Sequence, residues 1–235
     1  MQLFYTPNIN LTASTFILDE AESKHAIKVL RLDINDKVTL INGKGTFFEA
    51  EITQAHAKKC ELRILSSTTE TNTKPNIHIA IAPTKNNDRL EWFVEKATEI
   101  GITEITTLIC QRSERKTLKI DRLEKTAVAA MKQSLKATLP KINGPVSFKD
   151  FIKNTPQQTN LFIAHCLDNK EKHLSQLCTK NESSIILIGP EGDFTKEEID
   201  LAIKNHFKPI SLGKSRLRTE TAGVVACHTI NLINE

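Results

Sequence analysis

Five short apolar runs in the second half of the chain set the tightest limit on its fold. They are Ile77–Ala82, Ile105–Ile109, Leu161–Cys166, Ile185–Ile188 and Pro209–Leu212. Runs this short and this nearly continuous suit strands buried on both faces, as in a parallel sheet. Helical patterns lie between most of them. Leu90, Phe93, Val94, Ala97 and Ile100 form one helical stripe, and Gly101 is placed to stop it in a left-handed conformation. Thr195 and Glu198 make a capping box at the start of another helix. Strand and helix in alternation specify an α/β domain with a parallel sheet.

The first half has a different rhythm. Lys37–Leu40 alternates, Asn42–Gly45 supplies turn residues, and Phe48, Ala50 and Ile52 face away from Glu49 and Glu51. Cys60, Leu62 and Ile64 repeat that alternation, and one helix is expected over Ala21–Leu30. This is the pattern of a small β-barrel. Ser66–Asn76 is polar throughout and reads as a linker, dividing the chain into domains 1–72 and 73–235.

With 39% hydrophobic and 26% charged residues, the chain has ordinary globular composition. No apolar run approaches the roughly 20 residues that cross a bilayer, and the first residues lack a signal-peptide pattern. A cytoplasmic protein without membrane partners is expected. The five cysteines are scattered singly, so no metal site or disulfide framework is expected and core packing is the plain reading. The net charge of +4 is unevenly placed, and its densest basic stretch runs from Arg112 to Lys141. Such a stretch attracts phosphates or forms a solvated helix face, and charge alone leaves both open.

Ligands of α/β sheets sit beyond the carboxyl ends of the strands. Three loops qualify: Pro83–Arg89, Gly189–Phe194 and Gly213–Thr221. None is a Walker A or dinucleotide-binding loop, and zinc-protease and serine-hydrolase motifs are also missing. Gly189 and Gly192 let a backbone approach a ligand closely, or simply make a tight turn. Arg216–Thr221 joins basic side chains, hydroxyls and a helix N-terminus, a combination that favours an electron-rich group; an ordinary N-cap beside exposed arginines is the alternative.

Together Ile188-Gly189-Pro190-Glu191-Gly192, Leu212-Gly213 and Leu217-Arg218-Thr219-Glu220-Thr221-Ala222 resemble the cofactor loops of the bacterial 16S rRNA uridine-N3 methyltransferase family, small-subunit methyltransferase E, within the SPOUT superfamily. His25, Val29-Leu30-Arg31, Glu91-Trp92, Lys96–Gly101, Glu114-Arg115 and Gln133-Ser134 are similar to further family blocks. The chain departs from the family pattern at Leu135-Lys136, Asp193 and Lys214-Ser215.

The resemblance implies a PUA-like RNA-binding barrel followed by a SPOUT-type parallel sheet with a C-terminal trefoil knot. It implies S-adenosylmethionine held by Ile188, Gly189, Pro190, Glu191, Gly192, Leu212, Gly213, Leu217, Arg218, Thr219 and Thr221. Arg218 would stabilise charge on the uracil, and Glu220 would take the N3 proton, orient the group that does, or serve only as a cap partner. Arg31, Lys85, Arg112, Arg115, Lys132 and Gln133 are the RNA-binding candidates. The implied substrate is a uridine in the decoding region of 16S rRNA, in the small subunit or its precursor, and the implied assembly is a homodimer. A related knotted enzyme acting on a ribose 2′-hydroxyl or a tRNA base, and a non-catalytic RNA-binding or assembly protein, are the rival expectations.

Overall fold

The computed structural model describes residues 2–71, 75–156, 160–166 and 171–235. The chain forms two compact units, Met1–Asn72 with Met131–Leu139, and Thr73–Ala130 with Pro140–Glu235. A single cut at residue 72 therefore misassigns 131–139, whose Met131 and Ala137 share a core with Leu3 and Ile41 of the first unit.

The first unit contains β1 (Leu3–Tyr5), β2 (Thr15–Ile17), α1 (Glu20–Lys24), β3 (Lys37–Ile41), β4 (Thr46–Gln54) and β5 (Glu61–Thr69). Strand order is β1-β3-β4-β5-β2, parallel only at β1–β3. The ladders leave β1 and β2 as edges, so hydrogen bonding does not close the expected barrel. Alternation places Phe48, Ala50 and Ile52 in the core, while outward Glu51 pairs with Arg63 across the strands at 2.9 Å. Asn42 Oδ1 accepts from the Lys44 and Thr46 amides, fixing the β3–β4 turn.

Two expectations need correction here. The helix expected over Ala21–Leu30 changes form at His25, where α1 gives way to a π-helical turn, His25–Val29, closed by Leu30 N–H to the His25 carbonyl. Arg31 follows in a left-handed conformation, φ +57°. Ser66–Thr69, read as linker, instead complete β5 and pair with Thr46–Glu49. Their side chains are exposed, so backbone pairing and a Thr46–Thr69 hydroxyl contact at 3.0 Å hold them while hydropathy gives no signal. The expected boundary at 72–73 lies outside the described residues.

The second unit contains β6 (Ile77–Ile81), α2 (Asn87–Ile100), β7 (Glu104–Ile109), α3 (Ile120–Gln133, whose end from Met131 belongs to the first unit), β8 (Lys141–Ser147), α4 (Phe148–Asn154), β9 (Asn160–Ala164), α5 (Leu174–Leu177), β10 (Ser184–Ile188), α6 (Lys196–Lys204), β11 (Lys208–Ile210) and α7 (Thr219–Asn234). Its six strands are parallel, in the order β11-β9-β10-β6-β7-β8. The strands that began as Leu161–Cys166 and Pro209–Leu212 end earlier, at Ala164 and Ile210. Strand β8 has no apolar run; it is an edge, and Gly144 and Pro145 sit at a register shift opposite Thr106–Leu108. Edges and bulges are where a sheet admits proline.

Phe148 and Ile152 of α4 and Ile199 and Ala202 of α6 share a core with Ala80, Leu108, Ile163 and Leu187. Helix α7 packs on α2, β6 and β10. Sequence order turns back between β6 and β10: β7 and β8 follow β6 to one side, and β9 and β11 lie beyond β10 on the other. Three of the five cysteines are buried, but Cys178 is half-buried and Cys166 is exposed, so core packing explains only Cys60, Cys110 and Cys227.

Candidate functional site

The loops after β6, β10 and β11 leave the carboxyl ends of their strands, and side-chain contacts join them. The Thr219 hydroxyl donates to the Gly189 carbonyl at 3.1 Å, tying the first residue of α7 to the β10 loop. The cap position belongs to Arg218, which makes no side-chain capping bond. The Thr219 hydroxyl is committed to the neighbouring loop. Lys85 N–H donates to Glu191 Oε1 at 2.9 Å, linking the β6 and β10 loops. Arg112 Nη1 donates to the Gly192 carbonyl at 2.8 Å, closing the same loop from the segment after β7.

Asp193 replaces the expected family residue at a position with φ +61°, which Asp tolerates better than most side chains. Its carboxylate accepts from Cys166 N–H at 2.8 Å and Phe194 N–H at 2.7 Å, so it also fastens the end of β9. Gly213 adopts φ +127°, and a Cβ built there would meet nothing within 4 Å. The second loop therefore leaves room where a side chain would stand. At Gly189 a Cβ would come within 3.1 Å of the Phe194 ring.

Ile188, Gly189 and Pro190 are buried, Glu191, Gly192, Gly213 and Arg218 are exposed, and Leu212, Leu217 and Thr221 are half-buried. The Ile188 carbonyl accepts from Ala82 N–H at 2.9 Å, so the sheet itself uses that group. Glu220 is buried in the first turn of α7. Its Oε1 lies 3.8 Å from Arg89 Nε, and its Oε2 is buried without a hydrogen-bond partner.

The RNA-binding candidates divide between the units. Lys85, Arg112 and Arg115 lie in the second, where Arg115 Nη2 donates to the Lys85 carbonyl at 2.9 Å and the Lys85 ammonium pairs with Glu114 at 3.1 Å. Arg31, Lys132 and Gln133 lie in the first; Lys132 pairs with Glu22 at 2.7 Å and stands over the Phe4 ring. The basic stretch is therefore no continuous free patch: Arg122 pairs with Glu91 at 2.7 Å, and Lys141 with Glu104 at 3.2 Å. Only Ile120–Gln133 of it is helical. Among the described residues no group of three or more His, Cys, Asp or Glu is arranged to hold a metal ion, and no helix is long and apolar enough to cross a membrane.

Sequence reasoning missed Arg89, Gly223 and the loop-closing role of Arg112. Gly223 lies where a Cβ would come within 2.6 Å of Phe93 Cε2, so only glycine lets α7 approach α2 this closely. The signal was a lone glycine inside an apolar helix, which costs helix stability and needs a packing reason.

Residues 71–231 match a family described as RNA methyltransferase domain, and residues 18–65 one described as RNA methyltransferase PUA domain. The chain is 32% identical over 214 residues to ribosomal RNA small subunit methyltransferase E of Rickettsia conorii, covering 89% of this chain and 86% of that protein. Among solved structures, a chain described as "probable rRNA-methyltransferase from Porphyromonas gingivalis" is 39% identical with TM-score 0.93, covering 100% of this chain and 98% of that one. A ribosomal RNA small subunit methyltransferase E from Neisseria gonorrhoeae bound to S-adenosyl methionine is 26% identical with TM-score 0.90, again covering 100% and 98%.

Proposed function

Because this chain belongs to the ribosomal RNA small subunit methyltransferase E family, we propose that it methylates N3 of a uridine in 16S rRNA, with S-adenosylmethionine as donor. The observation that carries this reading is the Thr219–Gly189 bond, which joins the two family loops into one cradle. The residues present fit the cofactor: Gly213 leaves open space at its Cβ position, and the α7 N-terminus adds backbone donors. When bound, S-adenosylmethionine supplies a methyl group on a positively charged sulfur that departs as a neutral thioether.

The chain must hold and orient the reactants and manage charge and a proton. The Ile188–Gly192, Leu212-Gly213 and Leu217–Thr221 segments form the cofactor cradle. Arg218 is exposed and makes no capping bond, so its guanidinium is available to stabilise negative charge developing on the uracil oxygens. Glu220 accepts the N3 proton, which uridine retains at neutral pH. Arg31, Lys132 and Gln133 in the PUA-like unit, and Lys85, Arg112 and Arg115 in the methyltransferase unit, contact the RNA. The return of α7 onto β6 and β10 supports a trefoil knot at the C-terminal loops. A cytoplasmic homodimer completes the reading.

Incubating the protein with labelled S-adenosylmethionine and small ribosomal subunits, then digesting the rRNA to nucleosides, tests it. 3-Methyluridine is the expected product. A 2′-O-methyl nucleoside, or no incorporation into 16S rRNA, would overturn it.

A further inference from the structure

Glu220 presents an unusual combination: a carboxylate side chain only 8% exposed, with one oxygen near a cation and the other buried and unpartnered. Burying a charge is costly unless something compensates it. Among the described residues, Arg89 is the cation within ion-pair distance, at 3.8 Å. That separation is too long for a hydrogen bond, so the attraction leaves Oε1 without a fixed donor. The first turn of α7 adds a favourable helix-end field.

Other carboxylates around these loops are already engaged. Glu191 accepts from Lys85 N–H, Asp193 from Cys166 and Phe194 N–H, and Glu198 from Gln111 and Thr195 N–H. Glu91 and Asp88 pair with Arg122, and Glu114 pairs with Lys85. Glu220 is the carboxylate of this group with a buried oxygen left over.

Its position is built in by helix packing. Along α2 and α7 the contacts advance together, Arg89 with Glu220, Phe93 against Gly223, and Ala97 with Cys227. The two helices therefore run parallel, and the Gly223 contact fixes the turn that carries Glu220 beside the turn that carries Arg89.

We propose that Arg89 is a positioning residue, holding the Glu220 side chain so that Oε2 takes the uracil N3 proton. The N3–H bond breaks as the O–H bond forms on Oε2, and the released electron pair stays on N3 to make the new bond to carbon. Arg89 itself touches no reacting atom. This inference rests on the methyl-transfer reading above.

Kinetics of Glu220→Gln, Arg89→Ala, Arg89→Lys and the Arg89→Ala/Glu220→Gln double variant test it, with calorimetric titration of S-adenosylmethionine and a melting curve for each. Loss of the proton acceptor should lower kcat by about 10²–10³-fold, within the range for general acid–base groups. Arg89→Ala should lower kcat by about 10–100-fold with KM and cofactor affinity within about twofold, the order expected for disturbing a charged contact. Arg89→Lys, which keeps the charge, should restore part of the loss. The double variant should be no slower than Glu220→Gln, because residues acting as one unit are not additive. Full activity in Arg89→Ala, multiplicative losses in the double variant, or a loss confined to KM would each overturn the proposal. If wild type makes 3-methyluridine and these results fail, the positioning role alone fails. If wild type makes none, the functional reading fails first.

Discussion

The Thr219 hydroxyl donates to the Gly189 carbonyl at 3.1 Å across 30 residues of sequence, so the last helix begins pinned to the loop that follows β10. Two loops that look independent along the chain therefore behave as one structural unit, and most expectations for the site follow from that linkage.

Arg218 stands beside this pin, exposed and without a capping bond. Arg218→Ala should lower kcat by about 10²–10³, the scale for removing one transition-state stabiliser, while the melting temperature stays unchanged. Near wild-type turnover at saturating cofactor and RNA would remove Arg218 from the chemistry.

Arg112, one of the proposed RNA contacts, also closes the β10 loop through the Gly192 carbonyl. Arg112→Ala should therefore weaken S-adenosylmethionine binding by about tenfold, or about 1.4 kcal/mol. Calorimetry checks this; unchanged cofactor affinity with weaker RNA binding would return Arg112 to the phosphate-contact role alone.

Gly223→Ala inserts a methyl group within 2.6 Å of Phe93 Cε2 and 3.0 Å of Ile81 Cδ1. Overpacking of this kind costs about 1–3 kcal/mol, which at this chain length lowers Tm by about 2–12 °C. Phe93→Leu in the same chain should relieve part of the loss, and an unshifted melting curve for Gly223→Ala would contradict the close approach.

His78 lies at the amino end of β6, its Nε2 2.8 Å from the Thr106 hydroxyl and its ring edge-on to Phe151. Burial holds its pKa below the ordinary 6.5; Glu104 opposes that shift and Lys141 assists it. In the unfolded chain His78 takes up a proton first, so stability falls as pH drops below about 6.5, until the folded ring also protonates. His78→Gln should lose less stability than wild type between about pH 7 and pH 5.5, measured by Tm at matched ionic strength. Identical pH dependence would exclude the effect.

Helix α7 leaves Val224 and Val225 half-buried and His228 and Leu232 exposed. An apolar face of this kind suits a two-fold partner. Sedimentation equilibrium should report a dimer at micromolar concentration, and Val225→Glu should dissociate it with loss of activity. A fully active wild-type monomer would reject the assembly.

What could be read from the sequence follows burial. Strands β6, β7, β9 and β10 announced themselves because both faces are covered, leaving continuous apolar runs. Strand β8, with Gly144 and Pro145 at its bulge, and the Ser66–Thr69 end of β5 stayed silent because each is held by backbone pairing. The glycine loops were legible through residue type. Arg89 was not, because its partner Glu220 lies 131 positions away and only helix packing brings them together. The loop-closing role of Arg112 was hidden for a related reason: a basic side chain shows its charge in the sequence but not the backbone carbonyl it donates to.

The membership of residues 131–139 in the first unit has a consequence for synthesis. A ribosome that has released residue 72 has made five strands, yet Leu3 and Ile41 still lack Met131 and Ala137. Roughly sixty more residues must emerge before that pocket fills, and they belong to the other unit. The nascent first unit thus waits, with a greasy seam open, while the strands of its neighbour are already entering solution. A gene cut at the polar stretch would freeze the protein in that unfinished state.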